Sequence, residues 1–95
     1  MFVTVEHHIS DADKFWKAAE SELPKLPQNL KLHVCTPSRD GKTAYCIWEV
    51  DSVESLRNWM ENTVGDVSQN EYHEVDEKMA MGLSNIKSAS QSAAK

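Results

Sequence analysis

The chain has 95 residues, enough for one domain with a modest core, and a formal net charge of -5 at pH 7. This acidic balance, without a basic cluster, argues against a protein that binds nucleic acid or an anionic membrane. No apolar run approaches the roughly 20 residues that span a bilayer, and the opening MFVTVEHHIS lacks the pattern of a signal peptide, so we expect a cytoplasmic protein.

Residues 2–9 alternate between two sets of side chains, which predicts a first β-strand. One face carries Val3, Val5, His7 and Ile9, and the other carries Phe2, Thr4, Glu6 and His8. An amphipathic helix follows, with Ser10 as the expected N-cap and Pro24 as its end. Its apolar positions are Ala12, Phe15, Trp16, Ala19 and Leu23.

Residues 29–51, NLKLHVCTPSRDGKTAYCIWEVD, read as a β-hairpin whose two-residue turn is Asp40-Gly41. That turn pairs Cys35 with Cys46 and His33 with Trp48. Because Pro37 lacks an N–H group, a longer loop or a bulge could shift this pairing by one residue.

The two faces of the hairpin are expected to differ in what covers them. The face predicted to meet the helices carries Leu30, Leu32, Val34, Tyr45 and Ile47. The opposite face carries Lys31, His33, Cys35, Cys46, Trp48 and Val50.

A second helix is predicted from the apolar stripe of Val53, Leu56, Trp59, Met60 and Val64. Asp51 and Glu54 have the spacing of a capping box, and Gly65 closes the helix. A short last strand is expected over residues 71–75, after which Met79, Met81 and Leu83 dock on the core. The single domain is taken as residues 1–83 and the flexible C-terminal tail as residues 84–95.

The order β-α-β-β-α-β predicts an α+β, ferredoxin-like sandwich: a four-stranded antiparallel sheet in the order 4-1-3-2 with both helices on one face. The other face would hold Phe2, Trp48 and Val50. It is too apolar to face water, so we expect a homodimer.

By the same alternation, five side chains able to bind metal point to this open face: Glu6, His8, His33, Cys35 and Cys46. His7 and His73 lie at the same end of the predicted sheet. Imidazole and thiolate suit nickel, zinc or copper, and a carboxylate can ligate the ion or orient a histidine. The competing interpretation is that the histidines end strands or stack in place, and that the cysteines are small buried hydrophobic residues.

Two segments resemble a known family. AYCIWEVDSVESLRNWMEN is similar to the third strand and second helix of small bacterial nickel-binding ferredoxin-like proteins, members of the dimeric α+β barrel superfamily. VEHHISDADKFW is similar to the first strand and helix opening of relatives there, and the likeness covers roughly residues 2–75. His7, His8, Cys46 and Glu49 fall inside the matching strands without defining a ligand set.

The resemblance implies a homodimer whose sheets face each other around a shared cavity. Some relatives bind nickel there, and others are cofactor-free monooxygenases or heme-handling enzymes. Our first hypothesis is therefore a nickel or zinc site. The alternatives are an oxygenase-like enzyme, with an apolar cavity lined by Trp48, Phe2 and Tyr72 and with His8 or His73 as general base, or a dimeric module without a ligand.

Overall fold

The structure, a computed structural model, describes residues 1–86. Its elements are β1 (Phe2–Ile9), α1 (Ala12–Glu22), a 3-10 turn (Leu23–Lys25), β2 (Leu30–Pro37), β3 (Thr43–Val50), α2 (Val53–Val64) and β4 (Ser68–Glu74). The strands form one antiparallel sheet in the order β2-β3-β1-β4, which is the predicted order read from the other edge. The α+β class is confirmed, and the arrangement is compatible with a ferredoxin-like fold.

Helix α1 begins one residue later than expected. The side chain of Asp11, not of Ser10, accepts the hydrogen bond from the Lys14 backbone N–H and caps the helix. Ser10 instead donates its hydroxyl to the carbonyl of Val67, which ties the end of β1 to the start of β4. The helix ends at Glu22 and passes into the 3-10 turn that contains Pro24.

Helix α2 is capped by Ser52, whose hydroxyl oxygen accepts from the Ser55 backbone N–H at 3.1 Å. The predicted cap, Asp51, instead accepts hydrogen bonds from the side chain of Asn29. The predicted end at Gly65 is confirmed.

Replacing Ser52 with alanine is expected to lower the free energy of unfolding by about 1 kcal/mol, because it leaves the first turn of α2 one acceptor short. Asp51→Ala is the matched control, and it should cost less because its partner Asn29 is exposed. Urea denaturation of both variants measures the two losses. A larger loss for Asp51→Ala would identify Asp51 as the functional cap.

Strand β2 contains a β-bulge at His33. Leu32 pairs with Trp48 and Val34 pairs with the next residue along β3, Ile47, so His33 is an extra residue. The predicted pairing of Cys35 with Cys46 is confirmed, whereas that of His33 with Trp48 is wrong. The extra residue reverses the alternation, so Leu32 and Cys35 lie on the same face of the sheet.

The face of β3 that packs under the helices is the opposite of the one predicted. Cys46, Trp48 and Val50 are buried in the core, while Tyr45 lies on the open face and is 47% exposed. The prediction that Trp48 and Val50 make the open face apolar is therefore wrong. Each face of β3 carries apolar side chains, Tyr45 and Ile47 on one and Cys46, Trp48 and Val50 on the other, and the prediction assigned the wrong set to the helices.

The segment after β4 crosses the open face next to Phe2. The backbone N–H of Val75 donates to the carbonyl of Phe2, and Leu83 lines a surface pocket together with Phe2. Phe2 lies on the open face, as predicted, but it is already buried within the single chain, where the prediction had a second subunit cover it. Met79 and Met81 are 75% and 97% exposed, so their predicted docking on the core is wrong.

Strand β4 begins at Ser68, three residues before the predicted start, and ends at Glu74. Residues 83–86 are helical, and the remainder of the predicted tail, residues 87–95, lies outside the described residues. No helix within residues 1–86 is long and apolar enough to cross a membrane.

Candidate metal centre

Four side chains with metal-binding atoms meet on the open face, where β1 lies beside β4. Glu6 is directly opposite Glu71, and His8 and His73 occupy the neighbouring positions of the same face. Strand alternation places all four on this side, because the residues between them, such as His7 and Tyr72, point to the helices. We call Glu6, His8, Glu71 and His73 the open-face cluster.

Within the open-face cluster, the imidazole of His8 lies close to both carboxylates, and His73 forms a second close group with the same two carboxylates. His8 Nε2 lies 2.8 Å from Glu71 Oε2 and 3.1 Å from Glu6 Oε2. One ligand atom from each of Glu6, Glu71 and His73 lies within 4.8 Å of the others. Ligand atoms about 2.1 Å from a tetrahedral zinc are about 3.4 Å apart, so the three atoms, at separations of up to 4.8 Å, lie somewhat farther apart than they would around a bound ion.

Electrostatics favour a cation at this position. Two carboxylates directly opposite each other on neighbouring strands repel, and the imidazole of His8 lies within hydrogen-bonding distance of both. The cluster is reachable from solvent, since the side chains of Glu6 and His73 are 27% and 59% exposed.

His33, a predicted ligand, lies outside the open-face cluster. Its bulge position places it against the ring of Phe2, with ring centroids 5.5 Å apart, and its Nε2 is 2.9 Å from Glu49 Oε1. The side chain is fully buried, and its Nδ1 finds no hydrogen-bond partner within residues 1–86. His33 therefore belongs to a packed pair with Glu49, at the end of β3 that pairs with Phe2.

Cys35 and Cys46 are also separated from the open-face cluster. They meet each other, Sγ to Sγ at 2.7 Å, but on the helix-covered face of the sheet. The sheet itself lies between the two sulfurs and the imidazole of His8. The predicted cluster that combined both thiols with Glu6 and His8 is not formed.

His7 points into the core, away from its neighbour His8. Its Nδ1 lies 2.6 Å from Asn70 Oδ1, while Asn70 Nδ2 donates to Glu61 Oε2 at 2.9 Å. Because that amide orientation leaves only an acceptor toward the imidazole, Nδ1 carries the proton. Burial lowers the pKa of His7 below its ordinary value, against the opposing effect of the Asn70 hydrogen bond, so the ring is neutral at pH 7.

Tyr72 extends this hydrogen-bond network along β4. Its hydroxyl donates to Glu61 Oε2 at 2.6 Å, and the guanidinium of Arg57 lies 5.0 Å from the centre of its ring. Burial, followed by the hydrogen bond to Glu61, raises the pKa of Tyr72 above its ordinary value. The network joins α2 to β4 and fixes His7 away from the open face.

The cavity expected for an oxygenase-like enzyme is not formed by the predicted residues. Trp48 and Tyr72 face the helices, whereas Phe2 lies on the open face under the C-terminal segment. A cavity of about 60 Å³ lies between the sheet and the helices, with Trp48, Trp59 and both cysteines among its lining residues. This volume holds no ring compound without rearrangement of the side chains around it.

Glu71 is the cluster residue that the sequence did not identify. The alternation in the sequence predicts a last strand that begins at residue 71, and it leaves the register of this strand with the first one open. The pairing of Glu6 with Glu71 follows only from the observed start of β4 at Ser68, which pairs with Ile9. The available signal was the alternation of Gln69, Glu71 and His73 along one face.

No protein-family model matches this sequence, and no curated protein matches it either.

Proposed function

We propose that this protein binds a transition-metal ion, zinc or nickel, at the open-face cluster of Glu6, His8, Glu71 and His73. The observation that carries the proposal is the pair of facing carboxylates, Glu6 and Glu71, with His8 Nε2 near both. A divalent cation there replaces charge repulsion with coordination. The cysteines are not part of this site.

The chemistry of the donors supports an ion of borderline softness. Two imidazoles combined with carboxylates are typical ligands of zinc and are also suited to nickel, whereas magnesium and calcium prefer oxygen ligands alone. With thiolates absent from the set, the site has no special preference for Cu(I). The proposed ligands lie on two neighbouring strands of one sheet, and the pairing of these strands fixes the spacing of the backbone positions that carry them.

The second part of the proposal is a homodimer in which two open faces meet, as in the dimeric α+β barrel superfamily that the sequence resembles. Tyr45 is 47% exposed on this face, and Ile47 lies beside it on β3. A second subunit covering them would also remove water from the open-face cluster. Coulombic attraction between the ion and its carboxylates strengthens as water is excluded.

The metal site is tested by calorimetric titration of the full-length, chelator-treated protein with zinc and then with nickel. The double variant His8→Ala/His73→Ala and the single variant Glu71→Gln should each bind the metal at least about tenfold more weakly. Even the loss of a residue that only hydrogen-bonds to a metal ligand typically weakens metal binding by about tenfold or more. Glu74→Gln is the matched control: it changes an exposed glutamate of the same strand whose position faces the other side. It should bind like the wild type.

Equal losses of metal affinity in Glu71→Gln and Glu74→Gln would indicate only general attraction of the cation to an acidic surface. Unchanged metal affinity in the double variant would contradict the proposed site. Lowering the pH should weaken binding, since imidazole must be deprotonated to ligate a metal. Light scattering on the same samples tests the dimer separately. A measured mass equal to that of one chain would contradict the homodimer and would not affect the proposal of a metal site.

A further inference from the structure

The two cysteines form a directly opposed pair on neighbouring strands. Cys35 of β2 pairs with Cys46 of β3, and the backbone N–H of Ser38 donates to the carbonyl of Thr43 three positions nearer the turn. Antiparallel pairs alternate between hydrogen-bonded and non-hydrogen-bonded types, so the cysteines occupy a non-hydrogen-bonded pair. Side chains approach most closely at that type of pair.

The geometry suits a covalent bond between the two sulfurs. Cα atoms of a non-hydrogen-bonded pair are about 4.5 Å apart, within the range of about 4.4–6.8 Å that disulfides span. Both thiols are free, and Cys46 Sγ donates to Cys35 Sγ at 2.7 Å. The backbone therefore has no large movement to make when the bond forms.

The two thiols differ in access and in acidity. Cys35 lies on β2, an edge strand of the sheet, and is half-buried, while Cys46 lies on the inner strand β3 and is 4% exposed. The hydrogen bond from Cys46 lowers the pKa of Cys35, and the same bond, together with burial, raises the pKa of Cys46. A more exposed and more acidic thiol beside a shielded one is the division of roles found in dithiol redox centres.

A small and largely apolar cavity borders both cysteines. The cavity of about 60 Å³ touches both cysteines and is otherwise lined largely by apolar side chains, including Leu32 and Trp59. The one titratable side chain that joins the cysteines in this lining is His7, which is neutral and engaged with Asn70. The thiol hydrogen bond is therefore the main local stabilisation of a Cys35 thiolate.

We propose that Cys35 and Cys46 are a redox-active dithiol that exchanges with small disulfide compounds, Cys35 being the attacking thiol and Cys46 the resolving one. The Cys35 thiolate attacks one sulfur of the small disulfide, forms a mixed disulfide and releases the first thiolate. Cys46 Sγ then attacks Cys35 Sγ, the second small thiol leaves, and it takes up the proton of Cys46. Two protein thiols become one disulfide while one small disulfide becomes two thiols, so electrons and atoms balance.

The experiment incubates the folded, full-length protein with oxidised glutathione in the presence of a chelator, which keeps it independent of the metal site. Mass spectrometry follows the products after acid quenching. The wild type should convert to the internal Cys35–Cys46 disulfide without lasting glutathione adducts. Cys46→Ser should accumulate the mixed disulfide at Cys35, and Cys35→Ser should react at least about tenfold more slowly.

A second measurement does not depend on the folding of the serine variants. Brief treatment of the native wild type with iodoacetamide should label Cys35 at least about tenfold faster than Cys46, and the difference should vanish in urea. Equal labelling of the two thiols in the native protein would overturn the proposal. So would stable glutathione adducts or disulfide-linked chains in place of the internal bond.

Discussion

Replacing Trp48 with alanine is expected to lower the free energy of unfolding by about 3–5 kcal/mol, the usual cost of removing a large buried aromatic side chain. Trp48 is 2% exposed, lies on the inner strand β3, and packs its ring 5.5 Å from the ring of Trp59. A domain of this size has a total stability of about 5–15 kcal/mol. The variant should therefore be marginally folded, as urea denaturation followed by circular dichroism would show.

Tyr45→Ala provides the control on the same strand. Its side chain lies on the open face and is 47% exposed, so its removal from the isolated chain should cost only about 0.5 kcal/mol. Trp48→Phe should fall between the two alanine variants, because it keeps an aromatic ring and removes an indole N–H that has no partner within residues 1–86. A larger loss for Tyr45→Ala than for Trp48→Ala would mean that the faces of β3 are reversed.

Asn70→Ala is expected to lower the free energy of unfolding by about 1–3 kcal/mol, although Asn70 itself is only half-buried. Its amide oxygen is the acceptor for Nδ1 of His7, which is 1% exposed, and for the hydroxyl of Ser68. Without that acceptor, a neutral imidazole keeps a buried N–H with nowhere to donate. The cost is the lost hydration of that group.

A double-mutant cycle separates this cause from simple loss of packing. His7→Leu removes the donor, so Asn70→Ala should cost much less in the His7→Leu background than in the wild type. Urea denaturation of the four proteins gives the coupling free energy, expected at about 1 kcal/mol or more. Additive losses would show that the two side chains are not coupled through this hydrogen bond.

The order of the strands and helices could be predicted from the sequence because the strongest signals in the sequence are local patterns. The alternation in residues 2–9 and the helical stripes ending at Pro24 and Gly65 determined the type and order of the elements. Right-handed crossovers then left one arrangement of the four strands. Helix caps were less predictable, since Ser10 and Asp11, or Asp51 and Ser52, are adjacent residues that both suit an N-cap.

The candidate site was less predictable because it depends on alternation across strands. The bulge at His33 reversed the faces of the part of β2 that follows it. On β3, Tyr45 and Ile47 lie on one face and Cys46 and Trp48 lie on the other, so both faces contain apolar side chains. One residue of error moves a cysteine from one side of the sheet to the other. Of the predicted ligands, the structure brings Glu6 close to His8 and to His73, and the alternation along β1 that placed Glu6 and His8 on one face was read correctly.

The bulge at His33 also affects how this sheet resists aggregation. Strands β2 and β4 are the two edges, and an unpaired edge can act as a template for a strand of another chain. The bulge twists and interrupts the β2 edge, and Pro37 at its end has no N–H group to offer. Growth of an intermolecular β-ribbon from this edge would have to accommodate both irregularities, so the β2 edge is a poor template for adding a strand of another chain.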